Sequence, residues 1–96
     1  MTDLRDVRAE HRFEQGFVDA DGEVRVVFAD YAIRGDTRVI LHVEADPKLR
    51  GSGAAGKFMQ ALAEQARTDG FKLWPSCSYA KAWLDRHPQY KDVNAA

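Results

Sequence analysis

The sequence predicts an α+β domain of order β-β-β-α-β-α, with a single sheet and helices packed on it. Three observations carry that expectation. Three strand-like segments separated by short turns fill the first half of the chain, which makes them an antiparallel meander. After residue 56 the apolar spacing changes from alternation to the spacing of an amphipathic helix. That helix lies between the third and fourth strands, so they should be parallel neighbours joined by a right-handed crossover. A length of 96 residues suits one domain with one modest core, and leaves no room for separate cofactor and substrate domains.

The first strand runs from Arg12 to Val18, with Phe13, Gln15 and Phe17 on one face. Asp19-Ala20-Asp21-Gly22 is a turn signal, because aspartate accepts from nearby backbone N–H groups and glycine supplies positive φ. Glu23 to Ile33 carries Val24, Val26, Val27, Phe28, Tyr31 and Ile33. Both faces are partly apolar and the parity shifts near Val26-Val27, which suggests a central strand covered on both sides and bulged there. Arg34-Gly35-Asp36 turns the chain into a third strand, Thr37 to Glu44. Strict alternation puts Val39, Leu41 and Val43 on one face, and Arg38, Ile40, His42 and Glu44 on the other.

In the helix, Phe58, Met59, Leu62, Ala63 and Ala66 share a face, and Asp69-Gly70 stops it, glycine being the favoured residue just past a helix end. Phe71 to Trp74 is a short strand ended by Pro75. A second helix from about Ser78 to Arg86 turns Ala80, Trp83 and Leu84 inward, and His87-Pro88 ends it. Trp74 also reads as core. Residues 1–9 and the last three show no period and are expected to be flexible, leaving 10–93 as the domain.

The chemistry lies between the third strand and the first helix. Arg50-Gly51-Ser52-Gly53-Ala54-Ala55 has the form R-x-x-G-x-A. Small residues let backbone N–H groups approach a ligand closely, and the unsatisfied N–H groups of a helix start favour phosphate oxygens. Arg50 adds a charge for the same phosphates. A Walker-type loop is excluded, because Phe58 stands where the magnesium-binding hydroxyl would follow Lys57. Gly51, Gly53 and Gly56 do spell G-x-G-x-x-G, but a dinucleotide fold needs several βαβ units that this chain lacks.

The same stretch resembles the acyl-coenzyme-A motif of the GNAT acyltransferase superfamily, [QR]-x-x-G-x-[GA] after a strand and opening a helix. The resemblance extends to its minimal, YjdJ-type members. It is carried by Leu41-His42-Val43-Glu44, by Pro47-Lys48-Leu49-Arg50-Gly51-Ser52-Gly53, and by Pro75-Ser76-Cys77-Ser78-Tyr79 with Arg86-His87-Pro88-Gln89-Tyr90. What it implies is a GNAT-like fold with splayed third and fourth strands, and N-acetyl transfer from acetyl-coenzyme A as co-substrate. Separately, three histidines and one cysteine lack any zinc spacing, so no metal site is expected. The pyrophosphate would rest on Arg50, Gly51, Ser52, Gly53, Ala54, Ala55, Gly56 and Lys57. The pantetheine arm would pair with the backbone of Val43, Glu44 and Ala45, with the thioester near Cys77 and Tyr79 against the coenzyme. Asp46 is an unfavourable neighbour for phosphates unless its carboxylate points away.

Each candidate has a structural and a chemical reading. Cys77, at the start of the last helix, is either a small buried hydrophobe or a thiol placed to accept an acyl group or protonate the departing thiolate. His42 and Glu44 are either a solvated strand face or proton acceptors for an ammonium substrate. The acceptor is an unspecified amine or protein, attacking directly or by way of Cys77. The alternative function is a coenzyme A-binding or interaction module with little turnover. Lys+Arg 14 against Asp+Glu 15 leaves no basic excess, so neither nucleic acid nor membrane is expected as a partner. One cysteine forms no internal disulfide, and with no signal-like start the expected location is the cytoplasm, as a monomer or weak homodimer.

Overall fold

The computed structural model describes residues 1–96. Five strands form one sheet in sequence order: β1 (Arg5–Val7), β2 (Arg12–Val18), β3 (Val24–Arg34), β4 (Thr37–Ala45) and β5 (Lys72–Pro75). The first four are antiparallel and β5 is parallel to β4. Helix α1 (Ala54–Asp69) makes the crossover and α2 (Ser78–Arg86) follows β5. The turns form as their residues dictate. Asp19 Oδ1 accepts the N–H groups of Asp21 and Glu23, its other oxygen pairs with Arg25 at 2.9 Å, and Gly22 takes φ 83°. Gly70, at φ 79°, closes α1 by donating to the Ala66 carbonyl.

Both helices contribute to a single core, in which Phe13, Val27, Ile40 and Leu73 of the sheet meet Phe58, Met59, Leu62 and Leu84. The opposite sheet face is uncovered, with Val26 40%, Leu41 50% and Trp74 47% exposed. Trp74 is therefore not core: β5 alternates, and Leu73 and Pro75 take the buried side. β3 is not covered on both sides either. Val27, Ala29 and Tyr31 alternate regularly inward and its other face is open. The irregularity lies in the facing strand, where Asp30 pairs with His42 but Tyr31 with Ile40, so Leu41 is the extra residue of a bulge in β4.

Both ends of the chain hydrogen-bond to the sheet. Arg5–Val7 pairs with β2, and Thr2 exchanges hydrogen bonds with Gly16, its N–H donating to the Gly16 carbonyl at 2.9 Å and its Oγ1 accepting at 2.8 Å. Tyr31 Oη donates to Asp6 at 2.6 Å. At the other end Leu73 accepts from Ala95 at 2.8 Å and donates to Val93 at 2.7 Å, which extends the sheet beyond β5.

The C-terminal segment is pinned by Arg67, whose guanidinium grips both Asp92 oxygens at 2.8 and 2.9 Å and donates to the Gln89 carbonyl. This pairing holds the Asp92 carboxyl down at about 2, from an ordinary 3.8. A carboxyl depressed on folding adds stability above its unfolded pKa and loses it as pH falls through the folded one. Urea unfolding of wild type and Arg67→Met should therefore differ most near about pH 5 and converge as the pH falls from about 4 to about 2. A difference independent of pH would remove the ion pair from the account.

Candidate functional site

The loop between β4 and α1 is built by local hydrogen bonding. Asp46 caps the turn Pro47–Leu49, accepting from the Lys48 N–H at 2.9 Å, so its carboxylate has a partner inside the loop. Leu49, 3% exposed, anchors the turn in the core. Ser52 Oγ donates to the Leu49 carbonyl at 2.6 Å and accepts from the Ala54 N–H at 3.2 Å. Gly51 and Gly53 adopt φ 80° and 79°, a conformation L side chains rarely take.

That arrangement divides the backbone donors into two sets. The N–H groups of Arg50, Ser52 and Lys57 bond to Pro47, Leu49 and Gly53 carbonyls, and that of Ala54 to Ser52. Those of Gly51, Gly53, Ala55 and Gly56 have no partner within the protein. Four free donors lie at the positive end of a 16-residue helix, two of them on left-handed glycines, an arrangement whose partial positive charge favours an anion. Lys48, Arg50 and Lys57 stand exposed around it.

Beside this loop the sheet opens. β4 and β5 pair only from Thr37 with Lys72 to Ile40 with Pro75. There the Ile40 carbonyl accepts from the N–H groups of both Ser76 and Cys77, at 3.0 and 3.1 Å, and β4 continues alone to Ala45. Because Asp46 donates to Val26 across the ladder, alternate residues Glu44 and His42 bond toward β3. Val43 and Ala45 therefore present their N–H and C=O groups to the free edge. An amide-bearing chain laid in the opening would find a strand edge in Val43 and Ala45, but not in Glu44.

The bulge at Leu41 also corrects the reading of β4. Ile40 is fully buried and Val43 packs against the same core, while His42 and Glu44 stand together on the uncovered face. Their side chains meet, His42 Nε2 lying 3.1 Å from Glu44 Oε1. Asp30 is the cross-strand partner of His42, and the Phe28 ring lies 6.1 Å from the imidazole. Neither was singled out in the sequence, since both lie on a different strand and no spacing links them to His42. Cys77 is the N-cap of α2, its Sγ accepting from the Ala80 N–H at 3.4 Å. Its N–H is tied to the Ile40 carbonyl where the strands part, two residues before His42 along β4. Tyr79 is partly buried at the first turn of α2, and burial raises its phenol above the usual value.

A family model for GCN5-related N-acetyltransferases matches residues 13–93. The chain belongs to the GCN5-related N-acetyltransferase family. It is also similar to a candidate GCN5-like N-acetyltransferase from Staphylococcus aureus, solved in solution by NMR. The two are 28% identical, with a TM-score of 0.67 over 100% of this chain and 92% of the other. The comparison with curated proteins gives no match. In this GCN5-related domain the donor set suits a diphosphate linked to an amide chain: free N–H groups at the helix start lie beside a strand edge that accepts a backbone-like partner. No helix is long and apolar enough to cross a membrane.

Proposed function

We propose that the domain binds acetyl-coenzyme A across the Gly51–Gly56 loop and the free edge of β4, and transfers the acetyl group to an amine. The observation that carries this reading is the set of four unpartnered backbone N–H groups beside the split between β4 and β5. Gly51, Gly53, Ala55 and Gly56 would hold the pyrophosphate, assisted by Arg50 and Lys57, and Val43 and Ala45 would hold the pantetheine amides. Acetyl-coenzyme A supplies an acyl thioester, whose C–S bond breaks as the acceptor nitrogen bonds to the acyl carbon.

The chain's own part is proton management and orientation. An ammonium acceptor must lose a proton before its nitrogen can attack. His42 takes it on Nδ1 while Nε2–H donates to Glu44, whose carboxylate fixes the tautomer and ring orientation. Glu44 is thus a positioning residue. The acceptor comes over the uncovered sheet face on which His42 stands. Incubation with acetyl-coenzyme A and a panel of amines, following release of the free thiol, tests the reading. Turnover supports transfer, whereas saturable binding with no release for any amine leaves the coenzyme-binding module with little turnover, which the exposure of His42 and Glu44 favours as the second reading.

Direct attack is preferred over a covalent route, because Cys77 Sγ already serves as a helix cap. Serine caps helices well. Cys77→Ser should keep the fold, the thermal midpoint staying within about 3 °C or rising, and should retain most of the transfer rate. Loss of transfer in a folded Cys77→Ser protein, with a trapped acyl group on the wild-type thiol, would instead establish the covalent route.

A further inference from the structure

The indole N–H of Trp83 bonds to no group of the protein, although the ring around it is buried. Trp83 is 5% exposed, stacked on His87 with ring centres 3.8 Å apart and against Tyr90 at 5.6 Å, and its Nε1 takes part in none of the hydrogen bonds of the fold while keeping contact with solvent. A tryptophan this buried normally finds a partner within the protein for its N–H, whereas here the donor is left open to whatever approaches from solvent. Its direction is set by α2. Long side chains on a helix lean back toward its N-terminus, and the N-terminus of α2 is Cys77, beside the split in the sheet.

The nitrogen edge of the ring faces the first turn of α1. A Cβ at Gly56 would lie 3.6 Å from Trp83 Nε1, and apart from the neighbouring residues and backbone of α1 itself no other atom comes within 4 Å of that position. Gly56 is itself the last of the four residues with a free backbone N–H. The missing side chain leaves the indole N–H uncovered beside the free donors of the loop. Tyr79, one helical turn before Trp83 on the same side of α2, is partly buried and its hydroxyl also lacks a partner.

We infer that Trp83 supplies a fifth donor to the coenzyme site, its indole N–H bonding an acceptor oxygen of the ligand seated at the first turn of α1. The inference rests on the coenzyme reading given above and adds a residue from the second helix to it. The His87 and Tyr90 stacking then has a purpose beyond filling the core, since it holds the donor edge toward α1. A neutral single donor suits an oxygen where the pyrophosphate joins the amide arm, while the exposed cations serve the phosphates themselves.

The chain has two tryptophans, and the other, Trp74, lies exposed on the uncovered face of the sheet. Trp74→Phe therefore leaves one indole N–H signal in a proton–nitrogen correlation spectrum, to be followed during titration with coenzyme A. The expected result is a saturable downfield shift of that signal together with those of the Ala55 and Gly56 amides, and exchange with water slowed at least about tenfold. Trp83→Phe keeps an aromatic ring in the stack and removes the donor together with part of the buried ring, so with its thermal midpoint measured alongside to confirm folding, calorimetric affinity for coenzyme A should fall about tenfold. An indole signal that stays in place while the loop amides shift, or a Trp83→Phe protein that binds as tightly as wild type, overturns the inference and leaves the coenzyme reading standing. If neither the loop amides nor the indole respond at saturating ligand, the coenzyme reading fails and the inference fails with it.

Discussion

His42→Ala should lower the transfer rate at neutral pH by about a hundredfold or more, while affinity for acetyl-coenzyme A changes by less than about twofold. General-base assistance is typically worth about 10²–10⁴ in rate. His42 stands on the uncovered face, with its backbone bonded toward β3 and its side chain outside the opening between β4 and β5, so the loop donors are undisturbed. An acceptor such as a lysine amine, with an ordinary pKa of about 10.4, is almost wholly protonated at neutral pH. Without His42 the rate should keep rising with pH until the acceptor itself titrates. Glu44→Gln should act through His42: it keeps a hydrogen-bond acceptor beside the ring but loses the carboxylate that fixes its tautomer and orientation, so its rate effect should be smaller than that of His42→Ala. Steady-state rates across pH, with affinities from calorimetry, separate these effects. A His42→Ala enzyme with the wild-type rate and pH profile would remove the base from the mechanism and leave positioning alone to account for it.

Gly53→Val should reduce affinity for acetyl-coenzyme A by about tenfold or more without unfolding the domain. Gly53 is the N-cap of α1 at φ 79°. A side chain in that conformation costs about 1–2 kcal/mol, more when β-branched, and about 1.4 kcal/mol corresponds to tenfold. There is open space around the position, so the cost is backbone strain and not collision. The loop relieves that strain by leaving the left-handed region, which turns the N–H groups of Gly53, Ala55 and Gly56 out of convergence. α1 itself persists, because Phe58, Met59 and Leu62 are fully buried further along it. Gly22→Val is the matching control, since Gly22 has φ 83° in the turn between β2 and β3. The control should lose a similar amount of stability and no affinity. Equal affinity losses in the two variants would mean that general destabilisation, and not the loop, is being measured.

The contrast between what could and could not be read from the residues follows the range of the forces involved. The turn at Asp19–Gly22, the stop at Gly70 and the span of α2 depend on neighbours in sequence, and each appears where its residues place it. The R-x-x-G-x-A loop was legible for the same reason. Its division into occupied and free donors was not, because that depends on which carbonyls Pro47, Leu49 and Gly53 bring within reach. The bulge at Leu41 left no signal: Val39, Leu41 and Val43 alternate without a break, and only the pairing with β3 and the burial of Ile40 decide that the pattern inverts. The strand at Arg5–Val7 is too polar to announce itself. It is held by Thr2 on Gly16 and by Tyr31 on Asp6, contacts 14 and 25 residues apart. A Cβ at Gly16 would come 2.9 Å from Val24 Cγ1 and 3.1 Å from Thr2 Oγ1, so its bareness leaves room for both the neighbouring strand and the N-terminal segment.

The central claim is that the free donors at the start of α1, with the open edge of β4, form the coenzyme site. The most direct measurement is a titration of the isotope-labelled domain with coenzyme A, read amide by amide. The account predicts saturable shifts concentrated at Gly51, Gly53, Ala55 and Gly56, with a second group at Val43 and Ala45 and little change at the already bonded amides of Arg50 and Ser52. Saturable shifts confined to another part of the fold, or none up to millimolar ligand, would contradict it.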